Sequence, residues 1–187
     1  MFIDLEGRLR KPLVYLADFE MFLPTCEETV KYWKETCDRY GFIGIFPGEG
    51  EKVEPGEDFF RRVFEHDCNW MYKCDVCFAQ LDDWRGHEPD SGTLFEVGYF
   101  IGKGLPSYGF YTGGKKLIER DIPKKEEDGV FYDDKGYLIE DKGSSFDNML
   151  SLIKIADSFE DMCRMARKDF DKLLIAAGHE PYPVKEG

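Results

Sequence analysis

The segment Cys74-Asp75-Val76-Cys77-Phe78-Ala79-Gln80-Leu81 decides the fold class of this chain, because it is an apolar run of strand length. Helical spacing precedes it at 58–72 and follows it at 93–102, and a polar loop at 82–92 joins the strand to the second helix. A buried strand with a helix on either side is the repeating unit of a parallel sheet covered on both faces.

The same alternation continues along the chain in both directions. It predicts strands at 12–17, 42–46 and 108–112, helices at 25–41 and 158–177, and a helical or strand-like segment at 148–156. We therefore predict an α/β fold with one domain over residues 1–187, a flavodoxin-like (Rossmann-like) parallel sheet with helices on both faces. A charged, glycine-punctuated stretch at about 113–146 is predicted to be a hairpin-like insertion, with 130–132 and 137–139 flanking its turn.

The charge balance limits the partners that this chain can bind. Its 187 residues carry a formal net charge of −13, which repels polyphosphates and anionic lipids. A neutral or cationic small molecule remains compatible. No stretch approaches the roughly 20 apolar residues that cross a bilayer, and residues 1–11 lack the apolar centre of a secretion signal. We expect a cytoplasmic protein with no nucleic-acid and no membrane partner.

Cys74 and Cys77 form a C-x-x-C motif, with Cys68 nearby. A zinc site would need a second such pair or suitably spaced histidines, and the three histidines are spread thinly along the chain. The motif also lies in a strand-like run rather than at a helix start. We predict reduced thiols packed in or near a buried strand, and no metal site.

Three loops leave the carboxyl ends of predicted strands, and they begin at Asp18, Pro47 and Asp82. Ligands of open parallel sheets bind at that edge. The chain has no G-x-G-x-x-G turn after the first strand, no G-x-x-x-x-G-K-[ST] loop and no G-x-S-x-G elbow. The third loop and the helix after it offer carboxylates instead, namely Asp82, Asp83, Glu88, Asp90 and Glu96.

Glu96 has two interpretations. Thr93 and Glu96 have the spacing of a capping box, in which the glutamate folds back onto the Thr93 amide. Alternatively, Glu96 and Asp90 are two carboxylates on the lip of a ligand crevice. One nucleophilic and one proton-handling carboxylate are what displacement at an anomeric carbon requires.

The wider string Trp84-Arg85-Gly86-His87-Glu88-Pro89-Asp90-Ser91-Gly92-Thr93-Leu94-Phe95-Glu96-Val97-Gly98-Tyr99 resembles the signature of nucleoside 2-deoxyribosyltransferases. That family shows R-G-x-E-P-D-x-G-T-x-x-E-x-G in many members. Val14-Tyr15-Leu16-Ala17 resembles its first-strand motif, and Phe146-Asp147-Asn148-Met149-Leu150 resembles its late asparagine motif. The resemblance covers roughly residues 12–175, apart from the insertion.

The resemblance implies a role for each matching residue. Glu96 would be the nucleophile, and Tyr15 would hydrogen-bond its carboxylate. Asp90 would contact the sugar or the departing base, and Asp67 would lie beside the base and help with its proton. In the family the segment around Asn148 is lent to a neighbouring subunit, which implies a homo-oligomer with shared active sites. The substrate-binding set would comprise Asn148, Met149, Phe22 and Asp18.

Each role has a structural alternative. Tyr15 could be a core tyrosine with a satisfied hydroxyl, Asp67 a solvated helix carboxylate, and Asn148 a helix cap. The chain also departs from the family twice. The first loop has Asp18-Phe19 where Gly-Pro is usual, and Leu150 stands where methionine is expected unless a shift of one residue places Met149 there. Both departures concern the preference for a base and leave the nucleophile untouched.

The resemblance predicts transfer of 2-deoxyribose from a deoxyribonucleoside to a free nucleobase. The reaction would be a double displacement through Glu96 that retains the β configuration and needs no metal or organic cofactor. A hydrolytic N-glycosidase on the same fold is one alternative, and a non-catalytic nucleoside-binding module is another. Asp18 and Glu20 in the first loop would repel a 5′-phosphate, which favours unphosphorylated nucleosides.

Overall fold

The computed structural model describes residues 9–48, 53–114, 119–120, 123–139, 146, 148–181 and 184, without the side chain of Asn148. The strands are β1 (Leu13–Ala17), β2 (Ile43–Ile45), β3 (Val76–Gln80), β4 (Ser107–Phe110), β5 (Lys124–Glu127), β6 (Val130–Asp133) and β7 (Lys154–Ala156). The helices are α1 (Cys26–Arg39), α2 (Phe59–Lys73), α3 (Ser91–Gly102) and α4 (Phe159–Ala176), with 3-10 turns at Glu20–Phe22 and Asn148–Leu150.

Five strands form a parallel sheet in the order β2-β1-β3-β4-β7. Tyr15 of β1 lies level with Ile45 of β2 and with Cys77 of β3. From β1 the chain winds outward first to β2 and then, in the other direction, to β3, β4 and β7. The predicted α/β fold with its parallel sheet is confirmed, and this reversal is the place where such sheets bind ligands.

Alternation along each strand divides the core into two layers. Val14 and Leu16 point to one face, where they pack with α1 and α4. Tyr15 and Ala17 point to the other face, where they pack with α2 and α3. Within the described part of the chain, no helix is both long and apolar enough to cross a membrane.

The boundaries of β3 show why the predicted strand at 74–81 was too long. Cys74 is the C-cap of α2, since its amide donates to the carbonyls of Trp70 and Met71. Asp75 then receives two hydrogen bonds from the Arg10 guanidinium, at 2.6 and 2.8 Å, and one from the Leu13 amide. Asp75 therefore joins the start of the sheet both through its carboxylate and through its backbone amide, which donates to the Leu13 carbonyl over 2.8 Å.

The insertion contains the predicted hairpin: Tyr132 bridges Leu138 in antiparallel orientation, and the amides of Ile139 and Asp133 donate to the carbonyls of Phe131 and Tyr137, each over 2.8 Å. The structure adds β5, an unpredicted strand that also pairs with β6. The turn between β5 and β6 is Asp128-Gly129, with φ of 52° and 77°. Two successive residues with positive φ fit the tight turn that matches the twist of a hairpin, and Asp-Gly is a favoured sequence for it.

Arg120 ties this insertion to the loop that follows β3. Its side chain is 3% exposed, and its guanidinium carbon lies 4.6 Å from the ring centre of Tyr111 and 4.7 Å from that of Phe146. One of its nitrogens donates to the carbonyl of His87 and lies 3.3 Å from a carboxylate oxygen of Asp83. The sequence analysis did not identify this residue.

Cys74 and Cys77 are buried, as predicted. Burial raises the pKa of both thiols, to about 12 for Cys74 and well above the ordinary value for Cys77. Because the thiolate is the reactive form of cysteine, these side chains act as small apolar groups in the layer beneath α2 and α3.

Candidate active site

A cavity of about 280 Å³ opens at the carboxyl edge of the sheet, beside the reversal point. Because parallel strands end at one edge, the loops after β1 and β2 meet there with α2 and α3. The cavity is lined by Asp18, Met21, Phe46, Pro47, Gly48, Val53, Phe59, Val63, His66, Asp67 and Glu96. Three of the predicted site residues, Asp18, Asp67 and Glu96, thus share one space.

Glu96 contacts Tyr15 at the floor of this cavity. The Tyr15 hydroxyl donates to Oε1 of Glu96 over 2.6 Å, which is the length of a charge-assisted O–H···O hydrogen bond. Tyr15 is fully buried within β1, and packing around its ring fixes the direction of the hydroxyl. The structure therefore places a positioned donor on one oxygen of this carboxylate.

Asp90 determines how α3 begins. It is the N-cap residue, and its Oδ2 accepts the amide of Thr93 over 3.0 Å. The interpretation of Thr93 and Glu96 as a capping box is therefore wrong, because the helix starts at Ser91 and the capping role is already filled. The Asp90 side chain, three residues before Thr93, accepts the Thr93 amide in place of Glu96. The Glu96 side chain can therefore reach Tyr15.

Burial and neighbouring charges control the ionisation of this pair. Desolvation, followed by the charges of Asp67, Asp18 and Asp90, raises the pKa of Glu96 to about 8, although the hydrogen bond from Tyr15 lowers it. Burial and the nearby Glu96 charge raise the pKa of Tyr15 far above its ordinary value. Tyr15 therefore remains a hydroxyl donor at every accessible pH.

Asp67 projects from α2 toward Glu96. It is half-buried, one of its oxygens lies 3.2 Å from Nδ1 of His66, and burial raises its pKa. A freely solvated helix carboxylate, the structural alternative for this residue, would not border the cavity as Asp67 does. His66 is a wall residue that the sequence analysis missed, since a single histidine on a helix carries no distinctive pattern.

Asp18 lies directly after β1. Its Oδ1 accepts the amide of Glu20 over 2.7 Å, while its buried Oδ2 has no hydrogen-bond partner among the residues that the structure describes. Burial, with the charges of Glu20 and Asp90, raises the pKa of Asp18 to about 7. Glu20 is itself buried and accepts a hydrogen bond from the Gln80 side chain over 3.1 Å.

An aromatic stack lies above the first loop. The Trp84 ring packs on Phe19 at 4.7 Å and on Phe22 at 5.6 Å between ring centres, and the Arg85 guanidinium lies 4.8 Å from the Trp84 ring. Phe22, a predicted substrate-binding residue, is 58% exposed and belongs to this stack rather than to the cavity wall. The stack joins the first loop to the signature loop after β3.

The late segment lies apart from the cavity within this one chain. Met149 is 77% exposed, and Leu150 packs partly against the core layer of α2 and α3. Asn148 begins a 3-10 turn, and its side chain and the whole of Asp147 lie outside the described part of the structure. The predicted roles of Asn148 and Met149 therefore stay predictions.

A second cavity of about 330 Å³ borders Glu96 from the side of α2 and α3. Asp67 and Glu96 line both cavities, so these two carboxylates stand between them. The outer wall carries exposed rings, with exposed fractions of 86% for Phe60, 53% for Phe64 and 54% for Phe95. We call these three residues the α2–α3 aromatic face.

Comparison with known proteins agrees with this arrangement. Residues 14–149 match a family model described as nucleoside 2-deoxyribosyltransferase. An uncharacterised protein of Schizosaccharomyces pombe is 34% identical over 114 residues, which are 58% of this chain and 54% of that protein. The chain thus spans about half the length of this curated relative.

Solved structures share the fold. A 2-deoxyribosyltransferase from Leishmania mexicana superposes with a TM-score of 0.69 at 23% identity, over 84% of this chain and 97% of the other. A conserved protein from Enterococcus faecalis gives a TM-score of 0.57 at 15% identity, over 85% and 99%. The match of the family model covers most of the sequence and both ends of the Tyr15–Glu96 contact. From it we conclude that the chain belongs to the nucleoside 2-deoxyribosyltransferase family.

Proposed function

We propose that this protein transfers 2-deoxyribose between nucleobases through a covalent ester on Glu96. The observation that carries the proposal is the 2.6 Å contact between the Tyr15 hydroxyl and Oε1 of Glu96 at the floor of a cavity. This contact occupies one carboxylate oxygen and leaves the other to face a substrate. A nucleophilic carboxylate that is oriented by a neighbouring donor is the arrangement that covalent catalysis at a sugar requires.

The first displacement forms one bond and breaks another. A carboxylate oxygen of Glu96 bonds to C1′ of the deoxyribose as the bond from C1′ to the base nitrogen breaks, and the bonding pair leaves with the base. A proton from a neighbouring acid then neutralises the departing nitrogen. The positive charge that develops on the sugar meets the Glu96 carboxylate, whose negative charge stabilises it while the ester forms.

The second displacement reverses the first with a different base. A ring nitrogen of the incoming base attacks C1′, the ester bond breaks, and the proton returns to the acid. Two inversions restore the β configuration. Asp67 is the better placed acid of the two predicted ones, because it is half-buried in the cavity wall while Oδ2 of Asp90 already accepts the Thr93 amide. Asp90 would then hold α3 and contact the substrate.

The charge of the site supports an unphosphorylated nucleoside as the substrate. Asp18 and Glu20 are neighbouring carboxylates within the first loop, and no Lys or Arg lines the described part of the cavity. A 5′-phosphate there would meet carboxylates without a balancing cation. The free base and the nucleoside, which are neutral, meet no such repulsion.

A homo-oligomer with shared sites is part of the proposal. The α2–α3 aromatic face is exposed directly beside Glu96, and large apolar patches on a protein surface mark interaction sites. Met149 is also exposed, as expected for a segment that reaches a neighbouring copy. If the sites are shared, mixing an E96A subunit with an N148A subunit regains activity that neither variant shows alone.

The central experiment follows base exchange and the covalent sugar together. Incubation with deoxyinosine and free adenine is expected to yield deoxyadenosine, and intact-protein mass spectrometry with a slow-reacting fluorinated nucleoside is expected to show one sugar adduct. E96A should lose both, by roughly 10⁴-fold or more in rate. E57A is the matched control, since Glu57 is an exposed glutamate outside the cavity lining.

Other outcomes would support the alternatives. Hypoxanthine together with free deoxyribose, without deoxyadenosine, indicates a hydrolase. No turnover, with binding of deoxyinosine that survives E96A, indicates a binding module. Exchange that persists in E96A without an adduct contradicts the proposed nucleophile.

A further inference from the structure

Asp18 offers an unused hydrogen-bonding atom inside the cavity. Its Oδ2 is buried and has no partner among the described residues, whereas its Oδ1 is held by the Glu20 amide over 2.7 Å. A buried polar atom without a partner is costly unless a ligand satisfies it. Since Asp18 lines the same cavity as Glu96, a ligand that reaches Glu96 also passes the Asp18 carboxyl group.

The Glu20 amide also determines where a proton on Asp18 sits. An N–H donor needs a lone pair on Oδ1, so a proton on the carboxyl group occupies Oδ2. Oδ2 is then a donor when Asp18 is neutral and an acceptor when Asp18 is ionised. One atom at a fixed position thus changes its hydrogen-bonding character with its protonation state.

The groups that face Asp18 place this change near neutral pH. Glu20 lies in the same loop, Asp90 and Glu96 face it from α3, and His66 and Asp67 face it from α2. Burial and the charges of Glu20 and Asp90 oppose ionisation, while the Glu20 amide favours it, and together they raise the pKa of Asp18 to about 7.

On this geometry, and resting on the proposed function, we infer that Asp18 is a specificity-determining residue that contacts the nucleobase through Oδ2. Neutral Asp18 donates to the carbonyl of a 6-oxopurine, and ionised Asp18 accepts from the amino group of a 6-aminopurine. The preference between these two classes of base therefore changes with pH. Asp18 is not required for the displacement itself, which belongs to Glu96.

The walls of the cavity favour a base at this position rather than a sugar. Phe46, Phe59 and Val63 give it flat and branched apolar surfaces, which suit the faces of a heteroaromatic ring. Asp18, Asp67 and Glu96 line the same cavity, and their oxygens can hydrogen-bond the polar rim of such a ring. A planar base bound between these walls would present its polar edge to Asp18 while C1′ stays near Glu96.

The test compares two acceptor bases in one assay. With a single deoxyribonucleoside as the sugar donor, kcat/KM is measured for adenine and for hypoxanthine between pH 6 and pH 8. The titration of Glu96 affects both acceptors equally and cancels in their ratio. We expect the ratio of adenine to hypoxanthine to rise about tenfold across this range in the wild type, the effect of exchanging a matched hydrogen bond for a mismatched one.

Three variants test whether Asp18 causes the change of the adenine to hypoxanthine ratio with pH. D18N keeps an acceptor for the Glu20 amide but does not titrate, and D18G introduces the glycine that is usual in the family, so both should make the ratio independent of pH. D67N, which removes the other carboxylate that lines the cavity beside Glu96, should lower the rates and keep the slope. A slope that survives in D18N and D18G, or that disappears only in D67N, overturns the assignment.

Failure of this inference is distinguishable from failure of the proposed function. If the wild type exchanges bases and forms the Glu96 adduct but its ratio is flat with pH, Asp18 has no such role. If the wild type exchanges no base, the proposed function has failed. The role of Asp18 is then decided by calorimetric binding of free adenine and hypoxanthine at pH 6 and pH 8, which must show the same crossover.

Discussion

The loop after β3 and the loop after β4 leave neighbouring strands at the same edge of the sheet, yet they differ in burial and in their relation to Glu96. The first, residues 81–90, leads into α3 and places Glu96 against the buried Tyr15. The second carries the β5–β6 hairpin, in which every residue of β5 is exposed. Arg120 connects the two by its contact with the carbonyl of His87.

This difference separates two contributions to one site. Residues near the reversal point are buried among carboxylates and have shifted pKa values, which is costly for the fold and useful for chemistry. The described part of the insertion contributes no residue to either cavity that Glu96 lines. It contacts the neighbourhood of the site through Arg120, which reaches Asp83 and His87, and through Phe146, which packs in the core layer of Tyr15. Changes in the first region should therefore alter catalysis, and changes in the second should alter stability.

The largest effect after loss of Glu96 itself is expected for Y15F. This variant removes the donor to the carboxylate without changing the shape of the ring, and a hydrogen bond to a charged group corresponds to about 10- to 100-fold in kcat. Y108F is the control, because the Tyr108 hydroxyl donates to Asp169 over 3.1 Å on the opposite face. Equal losses in both variants would show that the effect is structural.

R120M should instead lower the free energy of unfolding by about 2 kcal/mol, because it leaves the His87 carbonyl without its cation and removes one partner of Asp83. Chemical denaturation measures this change. K125A is the control in the same insertion, and we expect less than about 0.5 kcal/mol since the pair between Lys125 and Glu127 is exposed. Unchanged stability in R120M would mean that the hairpin is not anchored through this residue.

E96Q is expected to raise the melting temperature at pH 8 while abolishing exchange. Folding raises the pKa of Glu96 from 4.5 to about 8, so the folded state binds more protons and loses stability as pH rises through this window. A glutamine carries no charge and avoids that loss. The gain should shrink toward pH 4, and a gain that grew on acidification would contradict the assigned shift.

D169N is expected to change the melting temperature in the direction opposite to E96Q. The Lys154 ammonium holds the pKa of Asp169 below its usual value, so this carboxylate stabilises the folded state above its unfolded pKa and loses that effect on acidification. D169N should therefore lower the melting temperature at neutral pH, where E96Q raises it. Thermal melts that extend from pH 8 to below pH 4 check both, since the effect of Asp169 is lost only below its unfolded pKa.

The smallest effect concerns Gly98, which lies on an exposed turn of α3. A Cβ added there meets no atom within 4 Å of the described chain, so G98A should stabilise an isolated copy by up to about 1 kcal/mol. If another copy packs closely at this point, the same change weakens assembly instead. Sedimentation of G98A against the wild type separates the two results.

Most of the fold follows from patterns within the sequence. The alternation of apolar runs and helical spacing predicts four of the five sheet strands and all four helices, because each element buries one face and its residues repeat accordingly. It left β7 undecided between helix and strand. The hairpin at 130–139 was placed correctly, and the strand β5 that precedes it was missed. The positive φ values at Asp128 and Gly129 select a turn that hydrophobic patterning alone does not reveal.

The site was only partly predictable. The resemblance in the signature string identifies Glu96 and Tyr15, and the structure brings them into contact. Spacing alone favoured a capping box at Thr93, because sequence does not show that Asp90 reaches the same amide first. His66 and the unpartnered oxygen of Asp18 depend on how α2 and the first loop pack, and no local pattern records such packing.

The outer strands of the sheet, β2 and β7, are only three residues long. Such short edge strands present few unpaired amides and carbonyls, so a strand from another molecule has little to pair with. Open-ended growth of the sheet into fibrils is therefore disfavoured. Contacts through side chains, such as those of the α2–α3 aromatic face, can instead close on themselves and stop at a finite number of copies.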